Sequence, residues 1–89
     1  VLQFNKTAIE EKLSAAANYL NIQRGFDGFC AFVDDLNASL HIPKSLTVLG
    51  IAYIDIDRVV AGALSDPSTG GNPVEMTPEN TRKLLLACC

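Results

Sequence analysis

Apolar residues recur every three or four positions in several stretches of the chain, which is helical spacing, and no stretch alternates as a strand would. The first stretch predicts a helix over about 8–20, with Thr7 and Glu10 forming a capping box at its start. The second predicts a helix over about 25–40, with three phenylalanines at one-turn spacing. The apolar stripe of that second helix is Phe26, Phe29, Phe32, Val33, Leu36 and Leu40. Both stretches are typical of helices that pack against a neighbour.

The second helix is expected to end at His41, because Pro43 cannot continue it. A residue in the left-handed conformation often follows a helix end, and His tolerates that conformation better than most residues. We therefore interpret His41, the single histidine of the chain, as a C-terminal cap and not as a metal ligand or catalytic base. The neighbouring acids Asp34 and Asp35 project about 100° apart on a helix, so they indicate a solvated face.

The stretch after the second helix predicts a short helical turn over 43–49, stopped by Gly50. Asp55 is expected to cap a further helix over about 56–65. Gly62 lies inside that helix, where glycine costs roughly 1 kcal/mol relative to alanine. We therefore expect Gly62 to mark a tight contact with another helix.

The last helix is predicted over about 78–88, since Thr77 followed by Pro78 combines a cap with the proline favoured at the first helical position. The whole pattern predicts an all-α chain, a small bundle of about four to five helices. Its 89 residues fit one domain, so residues 1–89 are expected to form a single all-helical domain.

The composition is apolar for a small protein, with 48% hydrophobic residues and a mean hydropathy of +0.21. Two explanations stay open: a generous helical core, or apolar surface that belongs against something outside the chain. The net charge is −3 and the seven basic residues are scattered, so no nucleic-acid surface is expected. No apolar run approaches about 18 residues, so no membrane span is expected.

The three cysteines, Cys30, Cys88 and Cys89, are odd in number and show no C-x-x-C spacing. Adjacent cysteines rarely pair with each other, because disulfide geometry is demanding. We therefore expect free thiols and a cytoplasmic protein. The N-terminal residues lack the basic stretch and apolar core of a signal peptide.

The segment SDPSTGGNP, residues 65–73, differs from the ordinary helical segments around it. It combines rigid prolines with two adjacent glycines in a connection that is longer than most. Gly70 and Gly71 could form an anion-binding nest, but a phosphate loop should follow a strand and lead directly into a helix. No Ser-His-Asp set or H-E-x-x-H motif is present, and Asp55 and Asp57 lie on different faces of one helix. The residues by themselves indicate a small acidic helical domain with one unusual loop.

Two runs, IPKSLTVLGI and DIDRVVAGALSDPSTGGNPVEMTPENTRKLL, resemble the C-terminal end of the iron-containing alcohol dehydrogenase family. That family typically shows Gly-Ile-Pro, Leu-x-x-Leu-Gly, an acidic helix start, an Ala-Leu-x-Asp helix end, a loop ending in Asn-Pro and a final helix. Residues 42–86 match that order and spacing, and ALSDPSTGGNP is the specific part. Residues 1–5 are similar to the family's segment after its last metal-binding histidine. The resemblance implies part of the C-terminal helical domain of a dehydroquinate-synthase-like, iron alcohol dehydrogenase fold.

By this resemblance, the chain is a C-terminal fragment of a two-domain enzyme whose nucleotide-binding domain it lacks. The enzyme would interconvert alcohols and aldehydes or ketones with NAD or NADP and with Fe2+ or Zn2+. The family's metal ligands, an Asp and three His, have no counterpart here, and His41 stands where the family has the glycine of Gly-Ile-Pro. We therefore expect no catalytic residue and no bound metal or cofactor in this chain alone. The implied partners are the missing N-terminal part, a small alcohol or aldehyde, and further copies in a homo-oligomer.

The resemblance also implies that the unusual loop forms part of the wall of the substrate and nicotinamide cleft. The residues implied for that wall are Ser68, Thr69, Gly70, Gly71 and Asn72. Ser68 stands where the family often has cysteine, and glycines suit close backbone approach to a ligand. Pro67 and Pro73 would hold the loop stiff. The alternative for Ser68 is a turn hydroxyl that bonds its own backbone.

Two other classes of function stay open. A small acidic helical chain is also typical of a carrier or protein-binding module, such as an acyl carrier protein, whose modified serine lies in Asp-Ser-Leu at a helix start. Here Ser45 follows Lys44, and Ser39 lies at a predicted helix end. A scaffold that only pairs helices would rest on the apolar excess alone.

Overall fold

Four α-helices and one short 3-10 helix form the regular structure of this computed structural model, which describes all 89 residues and contains no strand. The all-α prediction is therefore confirmed. In chain order the elements are α1 (Lys6–Tyr19), α2 (Gly25–Ser39), α3 (Ile56–Ser65), the 3-10 helix (Pro67–Gly71) and α4 (Pro78–Ala87). The chain falls into an N-terminal unit, Val1–Ile42, and a C-terminal unit, Pro43–Cys89. In the first unit α1 packs on α2, and in the second α3 packs on the 3-10 helix and on α4.

The start of α1 differs from the prediction. The helix begins at Lys6, so the capping box predicted from Thr7 lies inside the helix and that assignment is wrong. A turn of the first residues provides the start instead, because the buried Asn5 donates its N–H to the Val1 carbonyl at 3.0 Å. The Asn5 carbonyl then accepts from the Ala8 N–H at 2.9 Å and from the Ile9 N–H at 3.2 Å. Backbone N–H groups at the start of a helix lack partners within the helix, and this turn takes the place of a side-chain cap there.

A small core forms where α1 meets the first half of α2. Phe26 is only 3% exposed, and Ala17 and Cys30 are the other buried apolar side chains of this unit. The Lys6 ammonium lies 5.4 Å from the centroid of the Phe26 ring and 3.9 Å from the Asp27 carboxylate. A cation over a ring face is attracted by the ring's quadrupole, so Lys6 covers Phe26 both sterically and electrostatically.

The second half of α2 is uncovered. Every residue over 34–42 is exposed, including the leucines of the apolar stripe. The three phenylalanines therefore differ: Phe26 is buried, Phe29 is half-buried, and Phe32 is 47% exposed. The apolar stripe predicted from the sequence is therefore buried in the core where α2 begins, and it is exposed at the surface where α2 ends.

The end of α2 agrees with the prediction for His41. His41 has a φ of 59°, in the left-handed region. Its N–H donates to the Ala38 carbonyl at 3.1 Å, and the Ile42 N–H donates to the Asn37 carbonyl at 2.9 Å. These two bonds satisfy carbonyl groups that a helix end leaves without partners. The interpretation of His41 as a C-terminal cap is confirmed.

The two helix starts of the C-terminal unit also agree with the prediction. The Asp55 carboxylate caps α3 by accepting from the Arg58 N–H at 3.2 Å. The Thr77 hydroxyl accepts from the Asn80 N–H at 3.2 Å, while the Asn80 side-chain oxygen accepts from the Thr77 N–H at 2.8 Å. This reciprocal pair is a capping box in which asparagine takes the usual place of glutamate.

The core of the C-terminal unit is smaller still. Val60 is its only buried apolar side chain, and Thr81 in α4 is a buried polar residue of the same unit. Gly62 does not mark a tight contact, because a Cβ at this position would meet no heavy atom within 4 Å, so that prediction is wrong. Before α3, residues 46–50 form turns that do not become a helix, and they end at Gly50 with a φ of 85°.

Many large apolar side chains of the protein are exposed. The exposed large apolar residues are Val1, Tyr19, Leu20, Phe32, Leu36, Leu40, Ile42, Val48, Leu49, Ile51, Tyr53, Val59 and Leu86. The apolar excess of the composition therefore lies mainly at the surface and not in a generous core.

We expect the isolated protein to associate with itself or to bind a hydrophobic dye, because a large exposed apolar patch is typical of an interface. Replacing Leu36 and Leu40 together by glutamine should reduce association and dye fluorescence. The free energy of unfolding should change by less than about 1 kcal/mol, since both side chains are exposed. Sedimentation and dye titration measure these effects. A protein that stays monomeric at high concentration and does not increase the fluorescence of the dye would contradict the expectation.

Candidate functional site

The unusual loop contains a 3-10 helix where the sequence predicted only a stiff connection. α3 ends at Ser65. Asp66 is both the C-cap of α3 and the N-cap of the 3-10 helix Pro67–Gly71. The Asp66 carboxylate accepts from the Ser68 N–H at 2.7 Å. Proline follows at the first helical position, where an N–H would have no intrahelical partner. Aspartate and proline together start the turn.

Two further side chains hold the loop in place. The Thr69 hydroxyl donates to the Ala63 carbonyl at 2.6 Å, back onto the end of α3. The Asn72 side-chain amide donates to the Val74 carbonyl at 2.7 Å and lies 3.3 Å from the Met76 sulfur. Both Thr69 and Asn72 are half-buried. Hydrogen bonds to its own chain therefore fix the loop on both sides of the glycine pair.

A hollow of about 410 Å3 opens beside this loop. Its lining residues are Leu64, Thr69, Gly70, Asn72, Pro73, Val74, Glu75 and Met76. Of the five residues implied for a cleft wall, Thr69, Gly70 and Asn72 line the hollow. Ser68 and Gly71 belong to the same 3-10 helix but are not part of the lining. We call the hollow and these eight residues the loop hollow.

Sequence reasoning implied only three of the eight residues that line the loop hollow. Val74, Glu75 and Met76 follow the Asn-Pro pair and carry no motif of their own. They reach the hollow because the Asn72 side chain bonds to the Val74 carbonyl and contacts the Met76 sulfur. An asparagine that bonds backbone two residues ahead is a known local turn, and it was the one sequence feature that could have indicated this fold-back.

The two adjacent glycines do not serve the chain's own packing. Neither Gly70 nor Gly71 has a positive φ, and a Cβ at either position would meet no heavy atom within 4 Å. The chain's positive-φ glycines are Gly25 and Gly50, which lie elsewhere. Nothing within this chain therefore requires glycine in the loop, and the space beside both residues is open.

The loop hollow offers a binding wall and no obvious reacting group. The donors of Thr69 and Asn72 are already engaged within the loop, and Glu75 is the only titratable residue of the lining. No group of three or more His, Cys, Asp or Glu side chains is placed to hold a metal ion. The arrangement suits contact with a molecule that is held mainly by other groups.

The serines of the carrier alternative do not lie at helix starts. Ser39 is the last residue of α2, and its hydroxyl donates to the Leu36 carbonyl at 2.8 Å. The Ser45 hydroxyl accepts from the Val48 N–H at 3.2 Å, but the residues that follow form only turns. No observation in the structure favours a carrier function over the others.

The stability of the 3-10 helix in the loop is expected to depend on pH through Asp66. The Ser68 backbone N–H, together with the Ser68 side chain, holds the pKa of Asp66 below its ordinary value. A carboxylate with a lower pKa in the folded state adds stability above its unfolded pKa, and this stability is lost as the pH falls through the folded pKa. We therefore expect the 3-10 helix to loosen below about pH 4 and to be insensitive to pH above it.

An NMR titration that follows the Asp66 carboxyl carbon and the Ser68 amide measures this effect. Both signals should move with one apparent pKa below that of aspartate in a short peptide. Asp66→Asn should remove the titration step while leaving α3 and α4 folded. An Asp66 that titrates at or above the peptide value would contradict the hydrogen bonds described here.

Comparison of the chain with protein-family models, curated proteins and solved structures finds no significant match. Among the helices described above, none combines the length and the apolar character needed to cross a membrane.

Proposed function

We propose that this chain is the C-terminal portion of a metal-dependent, NAD(P)-linked alcohol dehydrogenase that interconverts alcohols and aldehydes or ketones. In this proposal the chain supplies helical packing and one part of the substrate cleft wall, formed by the loop hollow. The metal ligands and the nucleotide-binding domain belong to the remainder of the enzyme. No step of the reaction is assigned to the residues of this chain.

The observation that carries the proposal is the pair of glycines in a fixed loop that faces open space. Gly70 and Gly71 are required neither by backbone conformation nor by contacts within the chain. Glycine in a rigid loop otherwise suits close approach of the backbone to a bound molecule. The segment that carries them, ALSDPSTGGNP, is also the most specific part of the resemblance to the dehydrogenase family.

The poor burial of the chain is a second support. Ala17, Phe26, Cys30 and Val60 are the only buried apolar side chains among its 89 residues. A domain of this size with so small a core has little stability of its own. The exposed half of α2 and the exposed residues before α3 are what a helical domain would present to further helices of the same enzyme.

The test begins with the coding sequence upstream of Val1 and with expression of the complete encoded protein. We expect the upstream sequence to contain a nucleotide-binding domain and the Asp and His ligands of a divalent metal. The complete protein should reduce NAD or NADP in the presence of an alcohol and lose this activity on chelation. An upstream sequence without dehydrogenase character would overturn the proposal.

A matched pair of variants of the complete protein then tests the role of the loop. Gly70→Val adds a branched side chain beside the loop hollow, at a position with no neighbour in the chain to clash with. It should raise the KM for the alcohol or lower kcat while the protein stays folded. Gly62→Val, also without close neighbours, lies in α3 outside the hollow's lining and should leave both constants nearly unchanged. If the two variants have equal KM and kcat values, the loop does not form part of the substrate cleft.

A further inference from the structure

A second hollow of the C-terminal unit is lined by α3 and α4 alone, and we call it the α3–α4 groove. Its volume of about 350 Å3 is within the range of small-molecule pockets in proteins. From α3 it is lined by Asp57, Val60, Ala61 and Leu64. From α4 it is lined by Pro78, Glu79 and Arg82. Only Leu64 also belongs to the loop hollow, so the two hollows are separate surfaces of this unit.

The greater part of the α3–α4 groove is apolar. Val60 is buried, Leu64 is half-buried, and Ala61 and Pro78 are exposed. The lining positions of α3 recur every three or four residues, so they share one face of that helix. An apolar group that covers this face would remove its surface from water, which favours binding. The groove therefore suits a ligand with an apolar body.

An ion pair joins α3 to α4 at this groove. The Arg82 guanidinium donates from Nη1 to Oδ1 of Asp57, and both side chains are exposed. This contact holds the Asp57 carboxylate toward α4, on the side of the helix that lines the groove. The other carboxylate oxygen, Oδ2, accepts no hydrogen bond within the chain. Asp57 can therefore accept a hydrogen bond from a ligand while it stays paired with Arg82.

The charged residues of the lining favour a ligand that is positively charged. Asp57 and Glu79 supply two carboxylates and Arg82 supplies one guanidinium, which leaves a net charge of −1. Glu79 is exposed and forms no ion pair. The net charge of the whole chain is also negative, at −3. Charge complementarity of this kind attracts a cation and disfavours an anion of the same shape.

We propose that the α3–α4 groove binds small organic cations that combine an apolar body with an ammonium group, of which an arylalkylamine is the matched chemistry. The apolar body covers Val60 and Leu64, and the ammonium group donates to the free oxygen of Asp57. Glu79 adds to the attraction through its charge. The site is independent of the proposed dehydrogenase function, since it uses neither the glycine pair of the loop nor a nucleotide.

An NMR titration of the whole protein with 2-phenylethylammonium tests the proposal. We expect the amide signals of Ala61 and Arg82 to shift and to saturate, while those of Gly70 and Glu75 in the loop hollow stay in place. Phenylacetamide, which is neutral, should bind more weakly, and phenylacetate, which is negative, should bind least. If the three compounds bind equally, or if the shifts occur at the loop hollow, the proposal is wrong. This part of the test needs no variant.

Two substitutions of the ion pair should change the affinity in opposite directions. Asp57→Asn should weaken binding of 2-phenylethylammonium by up to about 5-fold, the upper end for an exposed ion pair. Arg82→Gln should strengthen it by a similar factor, because Asp57 is then no longer neutralised. Asp34→Asn removes the same charge from an exposed position of α2 and should leave the affinity nearly unchanged. If the ion pair only holds the two helices together, Asp57→Asn and Arg82→Gln would both weaken binding, and that result would overturn the proposal.

A pair of leucine variants tests whether the groove itself is the site. Ala61 is exposed and lines the groove, so Ala61→Leu places a larger side chain in the space that the ligand needs. It should abolish the shifts while the helical circular dichroism is retained. Val59→Leu changes an exposed residue of the same helix outside the lining and should bind like the wild type. Unchanged binding by Ala61→Leu would place the ligand elsewhere and overturn the proposal.

Discussion

Phe26→Ala is expected to unfold the N-terminal unit. Phe26 is 3% exposed and is the only large side chain in a core that otherwise holds Ala17 and Cys30. Removing a buried phenylalanine typically costs about 3–5 kcal/mol, and a core of this size rarely supplies more than about 3–5 kcal/mol in total. Far-UV circular dichroism should show loss of the helical signal of α1 and α2. The amide NMR signals of this unit should lose their chemical-shift dispersion.

Phe32→Ala is the matched control, since it removes the same ring from the same helix. Phe32 is 47% exposed, so its loss should cost far less than the loss of Phe26. Urea unfolding should show a small shift of the midpoint, while self-association should fall. If both variants lose the same free energy of unfolding, the division of the α2 stripe into core and surface is wrong.

Gly28→Ala is expected to be the second most damaging single change. Gly28 is buried in α2, and a Cβ there would overlap the backbone carbonyl of Gln23 and lie 3.3 Å from an Ile22 methyl. A backbone carbonyl cannot rotate away as a flexible side chain can, so the segment before α2 would have to move. Overpacking of this kind typically costs about 1–3 kcal/mol, and here we expect the upper end.

Gly62→Ala provides the comparison for this prediction. Both changes replace glycine by alanine inside a helix, which by itself favours the variant by about 1 kcal/mol. Because a Cβ at position 62 meets no heavy atom within 4 Å, Gly62→Ala should raise the free energy of unfolding. Thermal or urea unfolding of the two variants should therefore move in opposite directions. A stabilised Gly28→Ala would show that the Gln23 carbonyl does not block this position.

The helix ends were the most predictable part of the structure. Asp55, Thr77 and His41 were each expected at a helix end, and each makes the capping bond or adopts the left-handed conformation expected of it. A cap depends on a side chain and on backbone groups two or three residues away, so a short stretch of sequence contains all the information required. The one wrong cap, at Thr7, failed because the turn before it already satisfied the helix start.

The candidate site was predictable only in part. The unusual composition of 65–73 correctly marked a constrained loop, and Thr69, Gly70 and Asn72 do line the hollow beside it. The 3-10 helix and the fold-back onto Met76 depend on hydrogen bonds to Ala63 and Val74 that residue types alone do not specify. The assignment of this hollow to an alcohol dehydrogenase remains a proposal that rests on the motif and on the open space beside the glycines.

The sequence by itself determined that this protein is helical and where most of its helices begin and end, because those features depend on neighbours within one or two turns. It could not determine which apolar residues are covered. Phe26, Phe29 and Phe32 share one stripe in the sequence, yet only the first is core, since α1 packs on the beginning of α2 and leaves its end bare. Burial requires contact with an element distant in the chain, and periodicity shows which face of a helix is apolar without showing how far a neighbour extends along it. Gly28 and Gly62 are both helix glycines, and periodicity does not distinguish them. The structure does, because a Cβ at Gly28 would meet the Gln23 carbonyl in the turn just before α2, whereas a Cβ at Gly62 would meet no heavy atom within 4 Å.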